Sequence, residues 1–395
     1  MQSARIRSAA LGGNMRAAVA LRRARLAPLL AAQSGMPGSA SGALTVANCK
    51  AYSVREPVSG REYALLRIET AGGLAGWGET RSISAVKVAR AAAILRGRQA
   101  TEFGPLHVQL AAASPGIQAA ANSALLDIVG QVCKAPVYQV LGGPTRHKAR
   151  AIATLQGSDD ASLQAALKRA YAAGFRAFMI PAVEPAALNS GQAFVAANRK
   201  RLAELRSAAG DDADFAIDCR AGLSAGDAAS LSDAVERLHP LWLDEPCELT
   251  NLAAIRKIAH ERVTPLGFGR SITRGSVFQD LLREDVIDVF RPDLASNSVV
   301  QIRKFATLAE TNYIAVAPYH DGGPVGTAAA LHLAASLPNF FAQQAPVPES
   351  DEDRRFRAEL AGSDLESASN GYFTLPAAPG LGLKINQSLL GKEVA

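Results

Sequence analysis

The stretch DFAIDCRAGLSAGDAASLSDAVERLHPLWLDEP, Asp214 to Pro246, carries one complete unit of the fold. Two short apolar runs, Phe215–Asp218 and Leu241–Asp244, flank a helix-length segment, Ala225–Leu238, and each run closes on an acid. Outward from it the same rhythm repeats. Strand-like runs occupy Ala149–Leu155 and Ala177–Ile180 upstream, and Pro265–Gly269, Val286–Phe290, Tyr313–Ala317 and Phe340–Gln343 downstream. Helical patterns lie between them at Ser162–Ala173, Gln192–Ala209, Val299–Glu310 and Gly326–Ser336. Short strands alternating with amphipathic helices predict an α/β architecture with a parallel sheet. Eight such units ask for closure into a barrel, while periodicity alone also admits a doubly wound sheet.

Before Lys148 the pattern changes. Leu44–Ala47, Tyr63–Thr70 and Leu74–Thr80 read as strands, and Ala71-Gly72-Gly73 makes the last two a hairpin. Two helical patterns follow, the second at Ala119–Val132 with Ala120, Leu125, Ile128 and Val132 at helical spacing. The last fifty residues abandon the strand-helix rhythm and are expected to return to this first domain. The organisation is thus a leader (1–43), an α+β domain (44–148, completed by about 345–395) and a barrel (149–344).

Hydrophobic residues make up 48% and charged residues 20% of the 395, as in a globular enzyme-sized protein. The four cysteines (Cys49, Cys133, Cys219, Cys247) form no CxxC pair and suggest neither zinc nor a disulfide framework. The net charge of +6 invites a nucleic-acid reading, but residues 1–43 hold six arginines and no acid. Removing those six from the 42 basic residues leaves 36 against 36 acids, so the body is neutral and no basic face is expected. No apolar run reaches the length of a membrane span. The acid-free leader reads as an export signal, an organelle transit peptide or an untargeted tail. Otherwise the chain is expected to be soluble and cytoplasmic.

In a parallel barrel, chemistry gathers at the carboxyl ends of the strands. Those ends carry Asp218 and Arg220, Asp244 and Glu245, Arg270, Asp293, and then Tyr319, His320 and Asp321. Singly, each reads as a strand-end cap or loop ion pair. Recurrence at successive ends is what marks a site. Of six histidines only His320 stands at such an end; His332 falls in a helix and His239 precedes a strand.

Here the residues resemble the mandelate racemase/muconate lactonizing enzyme branch of the enolase superfamily. The hairpin ALLRIETAGGLAGWGET resembles the family's cap hairpin, and Asn122–Gly143 (NSALLDIVGQVCKAPVYQVLGG) resembles its cap-to-barrel helix and turn. LWLDEP is similar to the strand-four motif, VIDVFRPDLA to strand six, GPVGTAAALHLAASLPNF to the stretch after strand seven, and PGLGLKIN to the return strand. The resemblance implies an enolase-like α+β cap domain over a modified (β/α)8, TIM-type barrel. It further implies Mg²⁺ held by carboxylates on strands three, four and five, a Lys-x-Lys pair on strand two, and an Asp–His dyad on strands six and seven.

Carried over by position, Asp218 and Asp244 match two metal ligands, with Glu245 as the alternative one register along. The third carboxylate is replaced by Arg270, and the strand-two lysines by Met179 and Pro181, which would border the substrate. Asp293 matches the dyad's Asp. The histidine stands one place late, as Pro318-Tyr319-His320, so strict alternation brings Tyr319 inward unless a loop beginning at Pro318 restores His320. Gln344 stands where a glutamate is common. A guanidinium cannot ligate a cation, so Mg²⁺ binding is expected to be weak or absent, with Arg270 paired to the two aspartates instead. Arg220 and Arg270 either receive a carboxylate or merely neutralise the acids.

The function implied is a divergent lyase or isomerase, of acid-sugar dehydratase type, that abstracts a proton α to a carboxylate. His320 is the expected base and Arg220 or Arg270 the electrophile. The alternative is a barrel that has lost catalysis and serves as a binding or structural protein. The expected partner is a small carboxylic acid or acid sugar, without nucleic acid or membrane, in a homo-oligomer.

Overall fold

The computed structural model describes residues 42–394 except 188, 261–263 and 349. The leader, with its export and transit readings, lies outside the described residues as far as residue 41. Gly42 and Ala43, counted with it above, belong to the fold, since the Gly72 N–H donates to Ala43 O at 2.8 Å.

Strands β1 (Val46–Arg55), β2 (Glu62–Thr70) and β3 (Ala75–Thr80) form an antiparallel sheet in that order. β1 runs well past the expected Ala47 because β2 offers a partner as far as Arg55↔Glu62. The glycines of AGWGET have a packing cause. A Cβ on Gly76 would stand 2.0 Å from Ala124 O, and one on Gly78 1.9 Å from Ala120 O, so β3 lies directly on the helix Pro115–Val132. Asp127 of that helix accepts the Trp77 N–H at 3.0 Å and the Leu381 N–H at 2.8 Å, tying the hairpin and the C-terminal PGLG turn to one carboxylate. The region holds four helices where two were expected: Ala85–Leu95 and Phe103–Leu110 precede Pro115–Val132, and the one-turn Val137–Val140 follows it.

β4 (Lys148–Thr154), β5 (Ala177–Pro181), β6 (Asp214–Asp218), β7 (Leu243–Asp244), β8 (Leu266–Phe268), β9 (Val289–Phe290) and β10 (Ala315–Val316) pair in sequence, all parallel. β11 (Gln343–Pro346) pairs parallel with β4, and the bridge Val316↔Phe340 joins β10 to the chain just before it. The ring therefore closes, which removes the doubly wound alternative. The eighth strand begins later than Phe340 because Phe340 and Phe341 contact β10, and only Gln343–Pro346 reaches β4.

Ile152, Ala177, Met179, Ala216, Trp242, Val289, Ala317 and Ala342 form the core inside the ring, separate from the larger core under the helices. Small residues here make room for the fully buried Trp242. A Cβ on Gly267 would come within 2.5 Å of its ring. Side chains two residues further along each strand share this inward phase. They are Thr154, Pro181, Asp218, Asp244, Arg291, Tyr319 and Gln344, one from each of seven strand ends.

The C-terminal segment does not return directly to the first sheet. The helix Asp351–Ala361 and strands β12 (Ala368–Ser369) and β13 (Tyr372–Thr374) come first, and β13 pairs antiparallel with the start of β4. Only then does the chain run along β1, where Gly391 N–H donates to Ser53 O at 2.9 Å and Val394 N–H to Ala51 O at 2.8 Å. The buried Arg357 joins the two regions. It donates to Glu366 through Nε and Nη2 at 2.6 Å each and to Gly322 O at 3.0 Å, and it pairs with Glu56 between β1 and β2. Among the described residues no helix is long and apolar enough to cross a membrane.

Candidate active site

Asp218 and Asp244 are direct partners in the β6–β7 register, so their carboxylates stand side by side at the barrel mouth. Arg270 follows β8. Gly269, at φ 143° and so close to Phe290 that a Cβ would lie 2.8 Å from the ring, bends the chain there. The Arg270 guanidinium then lies between the two acids, with Nη1 3.2 Å from Asp218 Oδ2 and Nη2 hydrogen-bonded to Asp244 Oδ2. Burial alone would lower the Arg270 pKa, but Asp244 and Asp218 more than reverse this and fix the cation. Its Nε is buried without an acceptor among the described residues.

A second arginine grips the same acid from below. Arg291, with no exposed surface, donates to Asp244 Oδ1 at 2.7 Å through Nε and to Oδ2 at 3.4 Å through Nη2. It also donates to Ala317 O and to Gln344 Oε1, and its Cζ lies 5.0 Å from the Trp242 ring centre. Gln344 Nε2 continues the chain to Thr154 Oγ1 at 2.8 Å. Burial pushes the Asp244 carboxyl up, yet Arg291 and Arg270, with the Arg291 and Trp242 hydrogen bonds, outweigh it and hold the group below its usual range.

Glu245 does not share this phase. At φ 45° it turns aside and accepts the Gly269 N–H at 2.7 Å and the Arg270 N–H at 2.8 Å, clamping the backbone that presents Arg270. Burial and the neighbouring Asp244 push its pKa up to about 7, against the pull of those two N–H groups. Its alternative placement as a metal ligand is corrected by this geometry. Arg220 stands at the rim of the cleft. Its main-chain N–H donates to Asp218 Oδ1 at 3.0 Å, while its side chain runs outward, 3.9 Å from the exposed Glu184.

The expected His320–Asp293 dyad is not formed. The bridge Asp293↔Tyr319 keeps the chain extended past Pro318, so alternation continues and His320 points out of the ring. The His320 ring is buried, with Nε2 2.9 Å from Gly323 O, and a Cβ on Gly326 would stand 2.2 Å from its Cε1. Beside it Glu79 of β3 accepts the Gly323 N–H at 2.5 Å and the Gly326 N–H at 2.9 Å, capping the helix Pro324–Ser336. Among the described residues no hydrogen bond or ion pair joins His320 to Asp293.

Tyr319 takes the inward place. Its ring centre is 4.3 Å from Arg270 Cζ and its hydroxyl donates to Asp321 Oδ2 at 2.9 Å. Arg81, just past β3, donates to Asp293 Oδ2 at 2.6 Å and to Asp321 Oδ1 at 2.9 Å, while Arg61 donates to Asp321 O at 2.7 Å. Tyr319, Asp321, Arg81 and Arg61 border a cleft of about 590 Å³ that Met179, Pro181, Asp218, Arg220, Arg270 and Gln344 also line.

A model described as mandelate racemase/muconate lactonizing enzyme, N-terminal domain, matches residues 49–142. One described as enolase C-terminal domain-like matches residues 162–389, more than half of the chain. The chain belongs to the enolase superfamily. D-galactonate dehydratase of Ralstonia nicotianae is 29% identical over 353 residues, covering 83% of this chain and 90% of that protein. D-xylonate dehydratase of Haloferax volcanii is 28% identical over 279 residues, covering 67% of this chain and 66% of that protein. Among solved structures, a mandelate racemase/muconate lactonizing enzyme-like protein from Roseovarius sp. TM1035 superposes with TM-score 0.76 at 24% identity, covering 87% of this chain and 94% of the other. An enolase-superfamily member from Salmonella Typhimurium gives 0.78 at 21%, covering 88% and 98%. These structural likenesses speak for the fold.

Members of the enolase superfamily generally bind Mg²⁺. In this member the two aspartates that match metal ligands both hold Arg270. Sequence reasoning missed Arg291, whose inward phase follows from Val289, and the cap residues Arg61 and Arg81. Nothing local in the sequence places those two at the mouth.

Proposed function

We propose that this enolase-superfamily protein is a lyase of the dehydratase type acting on a small hydroxy acid of the acid-sugar class. In it the Arg270 guanidinium supplies the positive charge that the superfamily draws from Mg²⁺. The observation that carries the reading is the position of Arg270 between Asp218 and Asp244 at the centre of the mouth. The α-proton of a carboxylate is so weakly acidic that the developing enediolate must meet positive charge already in place. Arg270 gives one N–H of Nη1 and one of Nη2 to the aspartates, and each of those nitrogens carries a second N–H, so the partly exposed fork keeps capacity for substrate oxygens.

These residues do not fit Mg²⁺. The ion requires near-octahedral oxygen ligands. Here two carboxylates already close on a guanidinium, and that guanidinium takes the third ligand's position. Among the described residues no three His, Cys, Asp or Glu side chains converge on a point that could hold a metal. Met179 and Pro181 offer no proton-transfer group on the strand-two wall, which favours elimination over racemisation with a base on each face.

A second reading, a barrel that binds acids without turning them over, is favoured by the burial of His320 away from the cleft. The experiment that separates the two incubates the protein with a panel of aldonic and aldaric acids. Thermal shift is read alongside formation of a 2-keto-3-deoxy acid. At least one acid is expected to be dehydrated. Stabilisation by acids with no product from any of them would favour the binding barrel and overturn the proposal.

A further inference from the structure

We infer that Tyr319 and Asp321, held in place by Arg81 of the cap hairpin, form the proton-transfer device of this site. The inference rests on the dehydratase reading and names the group that reading lacks. Of the three consecutive residues after Pro318, the outer two face the cleft and only His320 faces away.

Both oxygens of Asp321 are engaged, by groups of different kind. Oδ2 accepts the Tyr319 hydroxyl at 2.9 Å, a proton that can move. Oδ1 accepts Arg81 Nη2 at 2.9 Å, a charge that cannot. The other arm of Arg81 is fixed by Asp293 at 2.6 Å, and Arg61 holds the Asp321 carbonyl at 2.7 Å. Asp293, buried and out of reach of the cleft, therefore orients an arginine that orients a second carboxylate. Arg81 is a positioning residue, and it comes from the cap, so the device is complete only when the cap hairpin is docked. The Arg270 guanidinium lies 4.3 Å from the Tyr319 ring centre, so the acceptor of the proton and the acceptor of the developing negative charge are neighbours.

The resting state pairs an ionised Asp321 with a neutral Tyr319. Burial pushes the Asp321 carboxyl up, but Arg81, His320 and the Tyr319 and Arg81 hydrogen bonds outweigh it and keep it ionised. Burial, followed by the charge of Asp321, pushes the Tyr319 phenol up and keeps it protonated. In the forward step the α-proton passes to the phenol oxygen as the phenol proton passes to Asp321 Oδ2. The C–H electron pair becomes the double bond of the enediolate. The enediolate then expels the β-hydroxyl, which recovers a proton from Asp321 through the phenol and leaves as water. The enol tautomerises to a 2-keto-3-deoxy acid. No external oxidant or reductant is required.

The test uses full-length protein and the acid found to be dehydrated, assayed in D2O by proton NMR. It follows loss of the α-proton signal together with kcat and KM for product. Tyr319→Phe and Asp321→Asn are each expected to lower kcat and α-proton exchange together, by about 10²–10⁴-fold, with KM nearly unchanged. Asp321→Asn keeps an acceptor for the phenol but cannot take its proton, so it tests the relay even if Tyr319→Phe misfolds. Wild-type turnover combined with near-normal kcat in either folded variant would overturn the relay alone. Loss of exchange in His320→Gln with retention in Tyr319→Phe would return the base to the histidine. A wild type that binds acids but neither exchanges nor dehydrates any would remove the dehydratase reading and the relay with it.

Discussion

Arg270→Ala is expected to abolish turnover, by about 10³-fold or more in kcat/KM, while the protein stays folded. Removing one preorganised donor from a site of developing negative charge costs on the order of 10²–10³-fold. Here the loss is compounded, because Asp218 and Asp244 would face the substrate carboxylate with less opposing charge. The fold survives for two reasons. Asp244 keeps Arg291, and Asp218, with 14% of its side chain exposed, regains water. The check is kcat/KM alongside a thermal melt. Activity within tenfold of wild type would show that Arg270 is a structural counter-ion and no more.

Arg291→Met is expected to act in the opposite sense, on stability first. The Arg291 and Asp244 side chains are both fully buried, at 0% exposure each, so neither can recover water when the pair is broken. Removing one partner of such a pair costs about 3–5 kcal/mol, which corresponds to a fall in Tm of roughly 10 °C for a body of this size. The cost is spread over more than one partner, since Ala317 O and Gln344 Oε1 also lose their donor. Calorimetry of the purified variant checks it. A Tm unchanged from wild type would mean that Asp244 is served by Arg270 alone.

The contrast between these arginines bears on what a sequence can disclose. The eight strands were legible because short apolar runs alternate with helix-length amphipathic segments, and most of the runs end on a polar residue. Asp218 and Asp244, read from two such ends, are paired in register. Arg270 was legible because the family resemblance implies a third carboxylate at its position. Arg291 was not, because a fully buried arginine inside a barrel contradicts the expectation for its residue type. Only counting two places on from the inward Val289 would have found it. The same count decides between Tyr319 and His320, since Ala317 is inward and the chain stays extended to Tyr319. Arg61 and Arg81 reach the mouth by docking of the cap, a tertiary event with no signature in local spacing. The resemblance to the Asp–His dyad points to His320 as the base, whereas its geometry is that of a buried contact beside Glu79 and the helix it caps.

The most direct test of a guanidinium-centred site is to dialyse wild-type protein exhaustively against a chelator, measure its metal content by mass spectrometry, and assay it on the acid it dehydrates. Full activity with far less than one Mg²⁺ per chain is the predicted result. Activity that disappears on chelation and returns with added Mg²⁺ would contradict the account and restore the superfamily's usual chemistry to this barrel.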